Sequence, residues 1–141
     1  MNLTTISLGA YKATVDNSIA HNLVRADTAL YDTTGQHIKV NQSYRSTKTQ
    51  AELYKNRKPG QRVAPPGKSF HEKGLAVDVT NWKEAEPFLR KEGFLNPLAD
   101  DKGHFSIGEF SAAKYKQIAA GGSMALIVAA GIILFFLMQR R

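Results

Sequence analysis

Between Ile118 and Met138 the chain runs for 21 residues without a charge, dense in Ile, Leu, Val, Phe and Ala, before Gln139-Arg140-Arg141 closes it. At 1.5 Å of rise per residue, a helix of that length spans a hydrocarbon core of ~30 Å. Met124 to Met138 is apolar on every face, and a domain built from the preceding residues 1–117 could hardly cover it. The expectation is a chain in three parts: a folded domain over residues 1–117, a transmembrane helix over 118–138 and a short basic tail at 139–141. Met1-Asn2-Leu3-Thr4-Thr5 lacks the basic and apolar regions of a secretory signal, so no export signal is expected. Lys114 and Lys116 before the span balance Arg140 and Arg141 after it, which leaves membrane orientation open.

The domain contains no cysteine, so disulfides cannot brace it and any metal site has to draw on His, Asp or Glu. A formal net charge of +7 favours anionic surfaces, among them acidic cell-wall polymers and anionic lipid. The basic residues are scattered over Lys48 to Lys73 and Lys83 to Lys116, with no aromatic interleaving and no reader motif. That distribution describes a solvated basic face, and no nucleic-acid partner is expected.

Helical spacing of Ile19, Leu23, Ala26 and Leu30 behind Asp16, a suitable N-cap, predicts a first helix that ends at the turn signal Asp32-Thr33-Thr34-Gly35. Alternation of Ile38, Val40, Gln42 and Tyr44 predicts a strand, and Ser46 can cap a short helix carrying Ala51, Leu53 and Tyr54. Lys58-Pro59-Gly60 and Pro65-Pro66-Gly67 bracket a loop. A second strand follows, with Leu75, Val77 and Val79 on one face and Ala76, Asp78 and Thr80 on the other. A helix within Lys83 to Glu92, stopped by Gly93, and a last strand over His104 to Ile107 complete an α+β domain without internal repeats.

The residues that carry chemistry lie in Ser69-Phe70-His71-Glu72-Lys73-Gly74-Leu75-Ala76-Val77-Asp78 and in Asp101-Lys102-Gly103-His104-Phe105. A catalytic zinc needs three protein ligands and an open fourth position, and His71, Asp78 and His104 can supply the three. Gly74 permits a sharp turn between the first two ligands, and strand alternation points Asp78 away from the apolar face. Glu72, flanked by Lys68 and Lys73, reads as a solvated residue, and His21 and His37 as structural or surface residues.

The joint pattern, Ser-x-His, then Asp seven residues after that His, then a distal His, resembles the zinc D-Ala-D-Ala carboxypeptidase and L-Ala-D-Glu endopeptidase group of the VanY and phage endolysin type. Upstream, Ser43-Tyr44-Arg45-Ser46 with Gln50 and Leu53-Tyr54 is similar to the Tyr-Arg-Ser segment and following helix of that group, so the resemblance covers residues 38–108. It implies a small antiparallel sheet with flanking helices, the hedgehog and D-Ala-D-Ala peptidase-like fold. It also implies Zn2+ on His71, Asp78 and His104, and a general base at Asp101, three residues before the last ligand. Arg45 is implied beside the metal and the substrate carbonyl or carboxylate, with Gln50 as a further substrate-binding residue, while Ser69 reads either as a group that orients a ligand or contacts substrate or as a loop hydroxyl bonding its own backbone. The chain departs from the pattern where Lys102-Gly103 stands before His104, and where Asp100 competes with Asp101 for the role of base.

The expected function is zinc-dependent hydrolysis of peptidoglycan stem peptides, as a D,D-carboxypeptidase or an endopeptidase, by a single-pass membrane protein with a C-terminal anchor. Small size, the terminal anchor and the missing export signal point to a bacteriophage virion or lysis protein, in a virion internal membrane or the host membrane. The alternative is a non-catalytic zinc-fold module that binds wall peptide or builds a virion membrane.

Overall fold

The computed structural model describes residues 1–98 and 100–109 and, beyond them, only the backbone pairing of two short strands. Its first element is a hairpin absent from the expectations above. Strands β1, Leu3–Leu8, and β2, Tyr11–Asp16, pair antiparallel from Leu3 opposite Asp16 to Leu8 opposite Tyr11. Leu8, Ala13 and Val15 are buried, the period of two that half-buried strands require.

Helix α1 spans Asn17–Thr34, and Asp16 caps it as expected, its Oδ1 accepting the Ser18 N–H at 3.0 Å. The helix runs three residues further than the turn signal at Asp32 suggests. Thr33 and Thr34 donate their hydroxyls to the carbonyls of Ala29 and Leu30, so these polar residues are absorbed into the last turn. Gly35, at φ 72°, then ends the helix with its N–H on the Tyr31 carbonyl.

Strand β3 covers only Val40–Gln42, shorter than the alternation from Ile38 to Tyr44 predicts, because its register with the next strand shifts between Val40 and Gln42. Helix α2, Thr47–Lys55, starts at the expected cap, with Ser46 Oγ accepting the Thr49 N–H at 3.2 Å. Strand β4 is Ala76–Val79, helix α3 is Trp82–Lys91 with Pro87 inside it, and strand β5 is His104–Ser106. The three strands form one antiparallel sheet in the order β3-β4-β5.

A single core joins these layers. Ile19, Leu23, Ala26 and Leu30 of α1 pack with Ala85 and Leu89 of α3 and with Val77, Val79 and Phe105 of the sheet. The first hairpin closes the other side, and its last strand reaches the site directly. The Thr14 carbonyl accepts the Tyr44 N–H at 2.8 Å, Ser43 Oγ accepts the Thr14 N–H at 3.0 Å, and the Gly74 carbonyl accepts the Asp16 N–H at 2.9 Å. This is the expected α+β arrangement of a small antiparallel sheet with flanking helices.

The expected membrane span, 118–138, lies outside the described residues except for the backbone of Val128–Ala129 and Ile132–Ile133, which pair antiparallel as β6 and β7. No described helix is long and apolar enough to cross a membrane.

Candidate metal centre

Asp78 and His104 sit directly opposite each other in the register of β4 and β5, so their side chains leave the sheet on the same face. His71 reaches them from a run of tight turns before β4. The Glu72, Lys73 and Gly74 amides donate to the carbonyls of Ser69, Phe70 and His71, and Gly74, at φ 67°, redirects the chain. A side chain at Gly74 would also collide with the backbone, since its Cβ would lie 2.6 Å from the Asp16 nitrogen.

The result is a triangle of donor atoms. His71 Nε2 lies 3.2 Å from Asp78 Oδ1, His104 Nδ1 lies 3.1 Å from the same oxygen, and the two imidazole nitrogens are 3.3 Å apart. Four ligands set tetrahedrally at ~2.0–2.1 Å from a zinc ion are roughly 3.3 Å from one another, so each edge matches two ligands of one such ion. The three residues are the one group of metal-binding type among the described residues.

The outer nitrogens show which form the rings take. His71 Nδ1 faces the Ser43 carbonyl at 2.7 Å, an atom that can only accept, so Nδ1 carries the proton and Nε2 presents a lone pair inward. His104 Nε2 faces a Glu109 carboxylate oxygen at 2.8 Å, which places the proton there and the lone pair on Nδ1. Two imidazole lone pairs and a carboxylate oxygen thus converge where both histidines are buried, at 4% and 6% exposure. Three acceptors without a donor require a cation. The donor set, two imidazoles and one carboxylate, suits zinc. Solvent reaches the centre from the carboxylate side, where the Asp78 side chain is 24% exposed.

Without a metal, a proton takes the cation's part. Burial alone would depress His104, but Asp78 and Glu109 outweigh it and raise its pKa to about 9. Burial likewise works against ionised Asp78, yet its contacts with His104 and His71 hold the carboxyl well below the usual carboxylate range.

Arg45 is placed beside this centre from two directions. Its backbone N–H donates to the His71 carbonyl at 3.1 Å. Its guanidinium donates to Gln42 Oε1, and Gln42 stands opposite Asp78 in the sheet register. The second nitrogen of the fork donates to Gln50 Oε1 at 2.8 Å. Gln50 is 1% exposed and donates its amide to the Ala64 carbonyl at 2.6 Å. Both ends of that side chain are therefore engaged beneath Arg45.

Ser69 is buried, and its Oγ accepts the His71 N–H at 3.3 Å, which steadies the first ligand. Asp101 lies in the exposed turn before β5, where its carbonyl faces the His104 N–H at 3.4 Å and accepts the Asn96 amide at 3.0 Å. Among the described residues its carboxylate has no ion-pair partner, whereas Asp100 faces outward to Arg62 at 3.7 Å. Gly103 is explained by close approach: its carbonyl accepts the Val79 N–H at 2.9 Å, and a Cβ there would meet the Val79 carbonyl oxygen at 2.8 Å.

Glu72, expected to be solvated, instead organises the loop before the first ligand. Its carboxylate accepts the Gly67 and Ser69 amides at 2.9 and 3.1 Å, and these bonds outweigh the effect of burial and lower its pKa. His21 is exposed, and His37 stacks on Tyr31 and contacts Asp27 at 2.8 Å, away from the metal centre. Gln42 and Glu109 were not singled out in the sequence. The signal for Gln42 was its place in the β3 alternation, and for Glu109 a glycine turn directly after the strand bearing His104.

The fold recurs in solved structures. One is a mutant of the vancomycin-resistance D,D-pentapeptidase VanY from a VanB-type cassette, in complex with Zn(II), at 21% identity and TM-score 0.61 over 82% of this chain and 83% of that one. Another is VanYB in complex with D-alanine-D-alanine, at 18% identity and TM-score 0.60 over 86% and 85%. An L,D-carboxypeptidase, DacB from Streptococcus pneumonia, aligns at 19% identity and TM-score 0.50 over 86% and 92%. Comparison with curated proteins returns no match. The model of the VanY family, D-alanyl-D-alanine carboxypeptidase, matches residues 12–105, a segment that takes in the Arg45 loop, the turns behind His71 and all three converging ligands. The chain belongs to that family.

Proposed function

We propose that this protein is a zinc-dependent peptidase of peptidoglycan stem peptides, acting at their D-Ala-D-Ala termini. The observation that carries the reading is the triangle formed by His71, Asp78 and His104, with edges of 3.1–3.3 Å and lone pairs turned inward. Membership of the VanY family and the D-alanine-D-alanine complex of a protein of the same fold support the substrate class.

A zinc ion held by these three residues supplies a Lewis acid for the scissile carbonyl and water acidified to near neutrality. Ser43 and Ser69 fix His71 by its ring and by its backbone, so the first ligand enters the reaction already oriented. Asp101, exposed and three residues before His104, is the carboxylate available to take a proton from the attacking water and return it to the leaving amine. Arg45 carries a charge that does not titrate at working pH, and its fork is pre-aimed by Gln42 and Gln50. From that position it stabilises a developing oxyanion or grips the terminal carboxylate of the peptide. Gln50 acts through Arg45.

The test is release of free D-Ala from stem peptides ending in D-Ala-D-Ala. Release that stops on chelation, returns with zinc and is absent in Asp78→Ala is the expected result. Intact peptides in the presence of one bound zinc per chain would favour a non-catalytic binding module.

The uncharged run from Ile118 to Met138 further supports attachment to a membrane, and with it a role in a phage virion or in lysis. Extraction by alkaline carbonate would contradict attachment. Absence of the protein from purified particles would contradict the virion role.

A further inference from the structure

Glu109 stands five residues past His104, outside the family pattern that identified the ligands. The chain leaves β5 at Ser106, and Gly108, at φ 84°, turns it back toward the sheet. That return sets Glu109 Oε2 2.8 Å from His104 Nε2 and 2.8 Å from Ser106 Oγ. Ser106 is fully buried, and its hydroxyl donates to the same oxygen that accepts from His104. The carboxylate is thus held in place by a buried anchor with its lone pairs aimed at the outer edge of a ligand ring.

We propose that Glu109 is a positioning residue of the metal centre: by accepting the His104 Nε2–H it fixes the tautomer and ring orientation that direct the Nδ1 lone pair at the metal. The inference rests on the zinc reading above. A histidine ligand held on its metal side alone can rotate about χ2 and present the wrong nitrogen, whereas a carboxylate on the far nitrogen removes that freedom and strengthens the donor. Charge points the same way. A dication with two neutral imidazoles is balanced by two carboxylates, and Glu109 is the second beside Asp78. In a buried setting that neutrality lowers the desolvation cost of holding the ion.

The test uses the full chain and zinc itself, with the dissociation constant measured by chelator competition. Glu109→Ala weakens zinc binding by about 10–100-fold. Glu109→Gln keeps an oxygen acceptor of the same reach without the charge and recovers part of that loss, whereas Glu109→Met, of similar volume but with no oxygen acceptor, recovers none; a merely space-filling role would let Met restore binding as well as Gln. An unchanged zinc affinity in Glu109→Ala overturns the proposal while leaving the zinc site standing. Absence of zinc binding by the unaltered chain overturns both. A measurement independent of variants is 15N resonance of the His104 ring in the zinc-loaded protein. Nε2 protonated and slow to exchange with solvent is expected, and Nε2 on the metal, or exchanging freely, overturns the proposal.

Discussion

Zinc binding and proton release are tied together at His104, and pH is the perturbation that exposes the link. In the metal-free protein the pKa of this ring is raised from 6.5 to about 9, because Asp78 and Glu109 outweigh burial. The ion needs the Nδ1 lone pair, so it has to displace that proton. At pH 7, two units below the pKa, roughly one molecule in a hundred carries the ring unprotonated. Apparent zinc affinity is then about 100-fold below its alkaline limit, a cost of about 3 kcal/mol. The same shift bears on folding. A pKa raised in the folded state stabilises the metal-free fold fully below pH 6.5, and that contribution, about 3 kcal/mol, is lost as pH rises through 9. Titration calorimetry in two buffers of different ionisation enthalpy measures the protons released. At least one proton per zinc at pH 7–8, the ring's and up to one more from the acidified water, and affinity rising about tenfold or more per pH unit up to about 9, are expected. Zero release, with affinity flat between pH 6.5 and 9, would refute the linkage and the ring geometry behind it.

Three further perturbations separate the roles of neighbouring residues. Asp101→Ala should lower kcat by about 10²–10⁴-fold with zinc content unchanged, while Asp100→Ala, which removes only the outward contact to Arg62, leaves kcat close to the parent. Gln50→Leu fills the same buried space but releases the Arg45 fork and leaves the Ala64 carbonyl unpaired. It should lower kcat/KM by about tenfold or more with zinc still bound, and cost roughly 1–3 kcal/mol in urea unfolding. Gly103→Ala sets a methyl group 2.8 Å from the Val79 carbonyl oxygen, a backbone atom that cannot swing aside, and should destabilise the domain by about 1–3 kcal/mol.

The convergence of His71, Asp78 and His104 was legible in the sequence because two of them fall within eight residues and the third lies in a short Asp-x-x-His segment, so local spacing carries most of the geometry. The caps at Asp16 and Ser46 were legible for the same reason, since each side chain bonds an amide two or three residues on. What escaped depends on partners distant in sequence. Gln42 matters only because the β3-β4 register sets it opposite Asp78, 36 positions later. Glu72 looked solvated between two lysines until the loop folded Gly67 and Ser69 onto its carboxylate. The hairpin of β1 and β2 carried an alternation of its own in Ala13 and Val15, around a glycine turn at Gly9. Its relation to the site, through Thr14 and the Ser43 segment, is a tertiary contact across 29 residues that no local pattern encodes.

The central claim is that His71, Asp78 and His104 hold one ion between them, and anomalous diffraction from zinc-loaded crystals tests it most directly. A single peak within about 2.0–2.2 Å of His71 Nε2, Asp78 Oδ1 and His104 Nδ1 is the predicted result. A peak at other residues, or none where those three atoms meet in crystals whose zinc content has been verified, would contradict it.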